Sequence, residues 1–212
     1  MRRLVVGMLA ALAILGVAAA AQAAPVTLTF VNPALPGNIY QQTLNHPCVI
    51  GDPSCQNPAG FPYTSESGPA AGHVYDLTSP TYTVGQLTAL FGETAFKVGI
   101  DVNWAAGAGA EVLQLFEVVI NGDVAFNYVG PTAFAAQNNG NGYSDALLTG
   151  IDLSGYGTTL PIYFHAVWSN DTDGMEEYFL IPDSAPPVPE PASILLLGSG
   201  LIGVAKFARR RR

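Results

Sequence analysis

An all-β fold, specifically an antiparallel β-sandwich, is what this chain predicts. Three observations carry that expectation. Short runs alternate apolar and polar residues with period two, the 23 glycines and 16 prolines punctuate them, and no long amphipathic helix interrupts the series.

Val26, Leu28 and Phe30 alternate with Thr27 and Thr29, which predicts the first strand. Residues 32–72 follow, rich in Pro, Gly, Asn and Ser, and read as a long irregular stretch, a type of loop that is functional or poorly ordered. A strand is expected to start near His73, and Val84 to Phe91 reads as a short helical turn. Phe96, Val98, Ile100, Val102 and Trp104 then share one face opposite Lys97, Gly99, Asp101 and Asn103, the signature of a half-buried strand. Gly107-Ala108-Gly109-Ala110 lacks the spacing of a dinucleotide fingerprint and no helix follows it, so it reads as a turn. Glu111 to Ile120 and Asp123 to Val129 flank Asn121-Gly122, the strongest short-range hairpin signal. Ser144 to Leu148 allows a second short helical turn. Leu160 to Trp168 alternates again, and Tyr178 to Ile181 is a last strand before Pro182.

Cys48 and Cys55 are the only cysteines. An even count points to a disulfide if the chain is exported. The alternative, a zinc site, is poorly served by two thiols with no histidine at ligand spacing.

Two polar loops are the candidates for a site. Asn138 to Asp145 is one. The other, Asn170 to Glu177, carries Asp171 and Asp173 before Gly174, then Glu176 and Glu177. Calcium takes six to eight hard oxygens on a flexible loop, and alternate-position acids with a Gly turn can supply them. The spacing is not that of an EF-hand, and Asn, Asp and Gly are also what plain turns are made of. Calcium, bound by Asp171, Asp173, Glu176 and Glu177, is therefore the one cofactor the residues suggest.

No catalytic residue is expected. The chain has neither a Gly-x-Ser-x-Gly nucleophile elbow nor a His-Glu-x-x-His zinc helix. His165 reads as a structural residue beside Tyr163 with one ring nitrogen hydrogen-bonded. A glycosidase pair such as Glu111 with Glu117 would depend on their separation in space.

The two ends read as addresses. Met1-Arg2-Arg3, the apolar Leu4 to Ala20, and the small-x-small site Ala21-Gln22-Ala23 make a secretory signal peptide over residues 1–23, cut after Ala23. An uncleaved anchor is the alternative. That leader implies the Sec translocon and signal peptidase as partners. At the other end stand Pro189-Glu190-Pro191, an apolar run, and four arginines, Arg209, Arg210, Arg211 and Arg212. The run is just long enough to span a bilayer as a transmembrane helix of about 192–208 if Lys206 snorkels, with the arginines as a cytoplasmic stop. Residues 24–184 then form one ectodomain, and Ala185 to Pro189 a stiff extended spacer at the head of the segment 185–212.

With both ends set aside, Lys97 is the only lysine or arginine left, against fifteen of the sixteen acids, a net −14 with histidines neutral. One lysine cannot match the phosphates of a nucleic acid, so DNA and RNA are excluded as partners. An anionic membrane surface would repel the domain as well.

The tail, with its Pro-Glu-Pro tripeptide, apolar helix and Arg cluster in that order, resembles the PEP-CTERM sorting signal of Gram-negative bacteria. The resemblance implies export across the inner membrane, processing by an exosortase, and association with exopolysaccharide or biofilm material at the cell surface. The ectodomain resembles a recurrent, uncharacterised type of PEP-CTERM protein in Phe96 to Asn103 and Gly140 to Asp145. The expected role is structural or adhesive and non-catalytic. The alternatives are a carbohydrate-binding module, calcium-dependent or not, presenting Tyr143, Tyr156 or Trp104 near polar loops, and a secreted hydrolase.

Overall fold

The hairpin of Glu111–Ile120 and Asp123–Phe134 is built around the turn its sequence dictates. A two-residue hairpin turn with both central residues at positive φ matches the twist of its strands. Asn121 has φ 54° and Gly122 φ 89°. This computed structural model describes residues 23–31, 39–66, 74–103, 110–134, 142–170 and 174–187. Its elements in chain order are β1 (Val26–Thr27), β2 (Thr29–Val31), β3 (Cys48–Gly51), β4 (Thr64–Ser65), β5 (Val74–Thr78), β6 (Tyr82–Thr83), α1 (Val84–Phe91), β7 (Ala95–Asp101), β8 (Glu111–Ile120), β9 (Asp123–Phe134), β10 (Ala146–Asp152), β11 (Pro161–Ser169) and β12 (Glu177–Pro182).

Two six-stranded sheets pack face to face. One runs β1-β9-β8-β11-β5, with β6 also on β11; the other runs β2-β10-β7-β12-β3-β4. The sandwich expected from the alternation is therefore present, with one amendment: the pairings β1 with β9 and β3 with β4 are parallel. Ile162, Phe164, Ala166 and Trp168 of β11 point inward, meeting Phe96, Val98 and Ile100 of β7 in one core. Phe164 lies at its centre, its ring centroid 6.2 Å from those of Tyr82, Phe96 and Phe116.

Helix α1 spans the residues the sequence assigned to it because both ends are capped. Thr83 Oγ1 accepts from the Gln86 amide while Gln86 Oε1 accepts from the Thr83 amide, a capping box. At the other end Gly92, with φ 71°, donates its N–H to the Thr88 carbonyl.

Three expectations are corrected. Residues 26–31 are not one strand: β1 joins one sheet and β2 the other. The chain crosses between them at Leu28, whose buried side chain enters the core and whose N–H bonds Asn127 O at 2.6 Å. Ser144 to Leu148 is not helical, since Asp145 N already pairs with Ile100 O and Ala146 to Leu148 continue as β10 against β7. The Lys97 face of β7 is not open to water either. The irregular segment 39–66 folds over it and builds a second apolar cluster from Tyr40, Cys48, Leu147, Phe179 and Ile181. Gly99 lets Phe179 lie flat across it, because a Cβ there would sit 2.5 Å from Phe179 Cζ. Lys97, only 9% exposed, is held by Tyr40 Oη at 3.2 Å, Asp183 O at 3.2 Å and the Asp183 carboxylate at 3.5 Å, with the Tyr40 ring 4.9 Å away.

Cys48 and Cys55 form a disulfide, with Cα atoms 6.1 Å apart. It pins the covering segment to β3, and Gly51 makes room for it: a Cβ there would meet Cys55 Sγ at 2.5 Å. Closing an eight-residue loop stabilises the fold by about 2.5 kcal/mol in the chain-entropy model. Thiol labelling of the unreduced exported protein should therefore find neither cysteine reactive. Quantitative labelling of both would show the covering segment open.

Candidate functional site

One end of the second sheet gathers carboxylates. Its central strands run β10-β7-β12-β3. Asp145 stands just before β10, Asp101 ends β7, Glu177 begins β12 and Asp52 follows β3, so the four form a row across neighbouring strands. Asp101 and Glu177 are direct cross-strand partners. Asp101, Asp145 and Glu177 are 7, 3 and 3% exposed, and neither Lys97 nor any other lysine or arginine of the described residues joins them.

Backbone and hydroxyl donors hold the row in place. The Gly142 amide donates to Asp101 Oδ2, and the Val102 amide to Asp145 Oδ2 at 2.9 Å. Ser54 Oγ donates to Glu177 Oε1 at 3.0 Å, and the Ser54 amide to Asp52 Oδ1. Glu177 Oε2 is sealed from solvent and meets no N–H or hydroxyl donor. The neighbouring Asp52 carboxylate within bonding reach is another acceptor and supplies no donor while ionised.

Burial dominates the electrostatics here. It pushes the Asp101 carboxyl up to about 8, against the Gly142 hydrogen bond that lowers it and with help from Glu177 and Asp145. It pushes Glu177 up to about 7, with the Asp52 charge adding to the effect. Behind the row, on the core side, Glu111 accepts from Trp168 Nε1 at 3.3 Å, and burial, with the charges of Glu176 and Glu111 adding to it, holds the Tyr178 hydroxyl far above its ordinary value.

Of the four expected calcium ligands, Glu176 and Glu177 fall among the described residues. Asp171 and Asp173 lie outside the described residues. Glu176 and Glu177, expected on an open loop, are both buried, on opposite sides of the sheet, with Glu177 in the row and Glu176 toward the core. Asp145, from the other candidate loop, joins Asp101 instead. The three groups of metal-ligating type whose donor atoms close within 4.8 Å among the described residues are Cys48, Cys55 and Glu177, and both sulfurs are spent in the disulfide. The row was illegible in the sequence because its members run from Asp52 to Glu177; only strand order unites them.

Glu111 and Glu117 are not a convergent pair. Glu111 points into the core at Trp168, whereas Glu117 lies on the outer face against His165. His165 itself is more tightly held than expected, with Nδ1 2.9 Å from Glu117 Oε2 and Nε2 2.8 Å from Asp76 Oδ1, so both ring nitrogens are engaged by acids. Burial works against its charge, but the bonds and charges of Glu117 and Asp76 outweigh it and raise its pKa. The alternation placed His165 outward; it could not show that β8 and β5 each bring a carboxylate beside it.

Of the aromatics considered for sugar binding, Tyr156 packs against Phe126, centroids 6.1 Å apart, and lines a recess of about 310 Å³ with Ala24, Val26 and Leu160 at the opposite end of the sandwich. Tyr143 is half-buried and bridges Gln41; Trp104 lies outside the described residues.

Ala23 is exposed, and residues 1–22 of the expected 1–23 leader, with Ala21 of its cleavage site, fall outside the described residues. So do Pro189, Glu190 and Pro191, the apolar run 192–208, and the basic stop of Arg209, Arg210, Arg211 and Arg212. No helix among the described residues is long and apolar enough to cross a membrane. No curated protein matches the chain, and no solved structure does. The family model of the PEP-CTERM protein-sorting motif matches residues 187–212, the segment that begins where the folded domain ends, and it takes in the tripeptide and all four terminal arginines. The chain therefore carries a PEP-CTERM protein-sorting motif, and is an exported protein whose C-terminal signal is addressed to an exosortase.

Proposed function

We propose that the domain is a non-catalytic component of the cell surface or of the exopolysaccharide matrix, structural or adhesive in role. The observation that carries this reading is the combination of a sorting motif with a sandwich in which His165, Asp101 and Asp145 are engaged structurally. His165 is clamped by two carboxylates, and Asp101 and Asp145 receive backbone amides that tie β7 to the segment before β10. Such roles need export, solubility and rigidity, and the net −14 of the domain keeps copies from precipitating on one another. Leader cleavage after Ala23 by signal peptidase, passage through the Sec translocon and a membrane-spanning helix at about 192–208, stopped by Arg209, Arg210, Arg211 and Arg212, complete the proposed route.

The test is a fractionation of the producing cell. The wild-type protein is expected in the exopolysaccharide fraction, shortened at its C-terminus. Changing Pro189, Glu190 and Pro191 to alanine should leave full-length precursor in the inner membrane. Unchanged processing of that variant would sink the sorting route. Wild-type protein that is processed but is neither retained by the cell surface nor bound by isolated polysaccharide would sink the matrix role.

A further inference from the structure

The Cys48–Cys55 loop does more than pin a covering segment. Between its cysteines lie Asp52 and Ser54, and both point their polar groups at the start of β12. Glu177 waits there, 3% exposed, with Oε1 bonded to Ser54 Oγ, Oε2 buried without an N–H or hydroxyl donor, and the Asp52 carboxyl within bonding reach. A buried carboxylate oxygen without a donor is costly, and a second carboxylate beside it compounds the cost. No lysine or arginine of the described residues reaches this corner; Lys97 lies four residues along β7, about 13 Å away by strand rise, and is spent on Asp183.

We propose that Asp52 and Glu177 bind a hard divalent cation of the calcium class where the Cys48–Cys55 loop meets the start of β12. The donor set is oxygen only, since the two sulfurs are joined to each other, and oxygen-only sites select hard ions over zinc or copper. Asp52 is half-buried at the surface end of the pair, which gives the ion an entry from solvent, while Glu177 is the buried anchor. Asp101, the cross-strand partner of Glu177, is not required as a ligand. An irregular loop tolerates the variable coordination of calcium better than the strict octahedron of magnesium. This inference goes beyond the matrix role and stands without it.

The test uses the mature exported protein, disulfide intact, stripped of metal and titrated calorimetrically with calcium chloride and, separately, magnesium chloride. Calcium is expected to bind one site with Kd about 10⁻⁴ to 10⁻³ M, the range of extracellular modules, and to raise Tm beyond the increment magnesium gives by screening. Glu177→Gln and Asp52→Asn should each weaken calcium binding at least tenfold. Asp52→Asn is half-exposed and keeps its backbone contacts, so it reports even if Glu177→Gln folds poorly. Asp123→Asn, at the turn of the β8–β9 hairpin, is the charge-matched control and should leave binding unchanged. Reducing the disulfide should weaken binding too. Equal responses to calcium and magnesium, or calcium binding that survives Asp52→Asn or reduction, would overturn the proposal and leave the two carboxyls sharing a proton.

Discussion

Phe164→Ala is expected to lower the stability of the domain by about 3–5 kcal/mol, the range for truncating a fully buried phenylalanine. The side chain is completely buried in β11 and joins the two layers, meeting Phe116 of its own sheet and Phe96 of the facing one. Its removal leaves a cavity that rings on two separate sheets cannot both collapse to fill. Against a total stability of about 5–15 kcal/mol, that loss should drop Tm on the order of 10 °C for a domain of this size. Leu90→Ala on the outer side of α1, at 37% exposure, is the comparison and should shift stability by no more than about 0.5 kcal/mol. Chemical denaturation followed by tryptophan fluorescence reads both. A Phe164→Ala protein as stable as Leu90→Ala would mean the two sheets do not share one core.

The second large effect is a loss of stability as pH rises, measured in chelator so that no cation intervenes. Asp101 titrates near 8 when folded and near 3.8 when unfolded, so between those values the native state holds a proton the unfolded chain has released. Stability from this group is fully present below the unfolded value and falls as pH climbs through the folded one. Between pH 5 and pH 8 the fall is on the order of 3–4 kcal/mol. Glu177, raised to about 7, acts in the same direction. So does His165: its raised pKa means that the bonds to Glu117 and Asp76 stabilise fully below about 6.5 and fade as the imidazolium deprotonates. Asp101→Asn keeps an acceptor for the Gly142 amide but carries no charge, and should flatten the slope by the Asp101 share. His165→Gln should remove a smaller part, independently. Stability that is level or rising from pH 5 to pH 8 would show that the carboxylate row is hydrated.

What the sequence disclosed and what it withheld divide along local and non-local physics. The Asn121-Gly122 turn, the capped helix Val84 to Phe91 and the alternation in β7 and β11 are decided by residues within a few positions of one another. The covering of Lys97 and Asp101 is not. Period two told which residues share a face, but whether the second face meets water depended on where residues 39–66 settle, and their Pro- and Gly-rich composition has no periodicity to read. β10 escaped for a related reason, since Ala146 to Leu148 are apolar in succession and are buried on both faces of the sheet. Leu28 kept its place in the alternation although the strand around it is shared between two sheets. The candidate site followed the same division. Glu177 was visible as an acid in a polar loop, whereas its pairing with Asp52 follows from β3 lying beside β12.

Lys97 gives the domain an unusual relation to proteolysis. A protease that cuts after lysine or arginine finds a single target bond between residues 24 and 187, and that bond lies inside β7, between β10 and β12, with Lys97 in the ladder to Ile181. Such an enzyme can cut the folded domain only after the sheet opens, so cleavage counts openings and the rate follows the stability of the sandwich. Evicting the covering segment would not suffice, because the bond would still be a ladder member. In surroundings where secreted trypsin-like enzymes accumulate, the domain persists for as long as it stays folded and owes nothing to a short list of shielded loops.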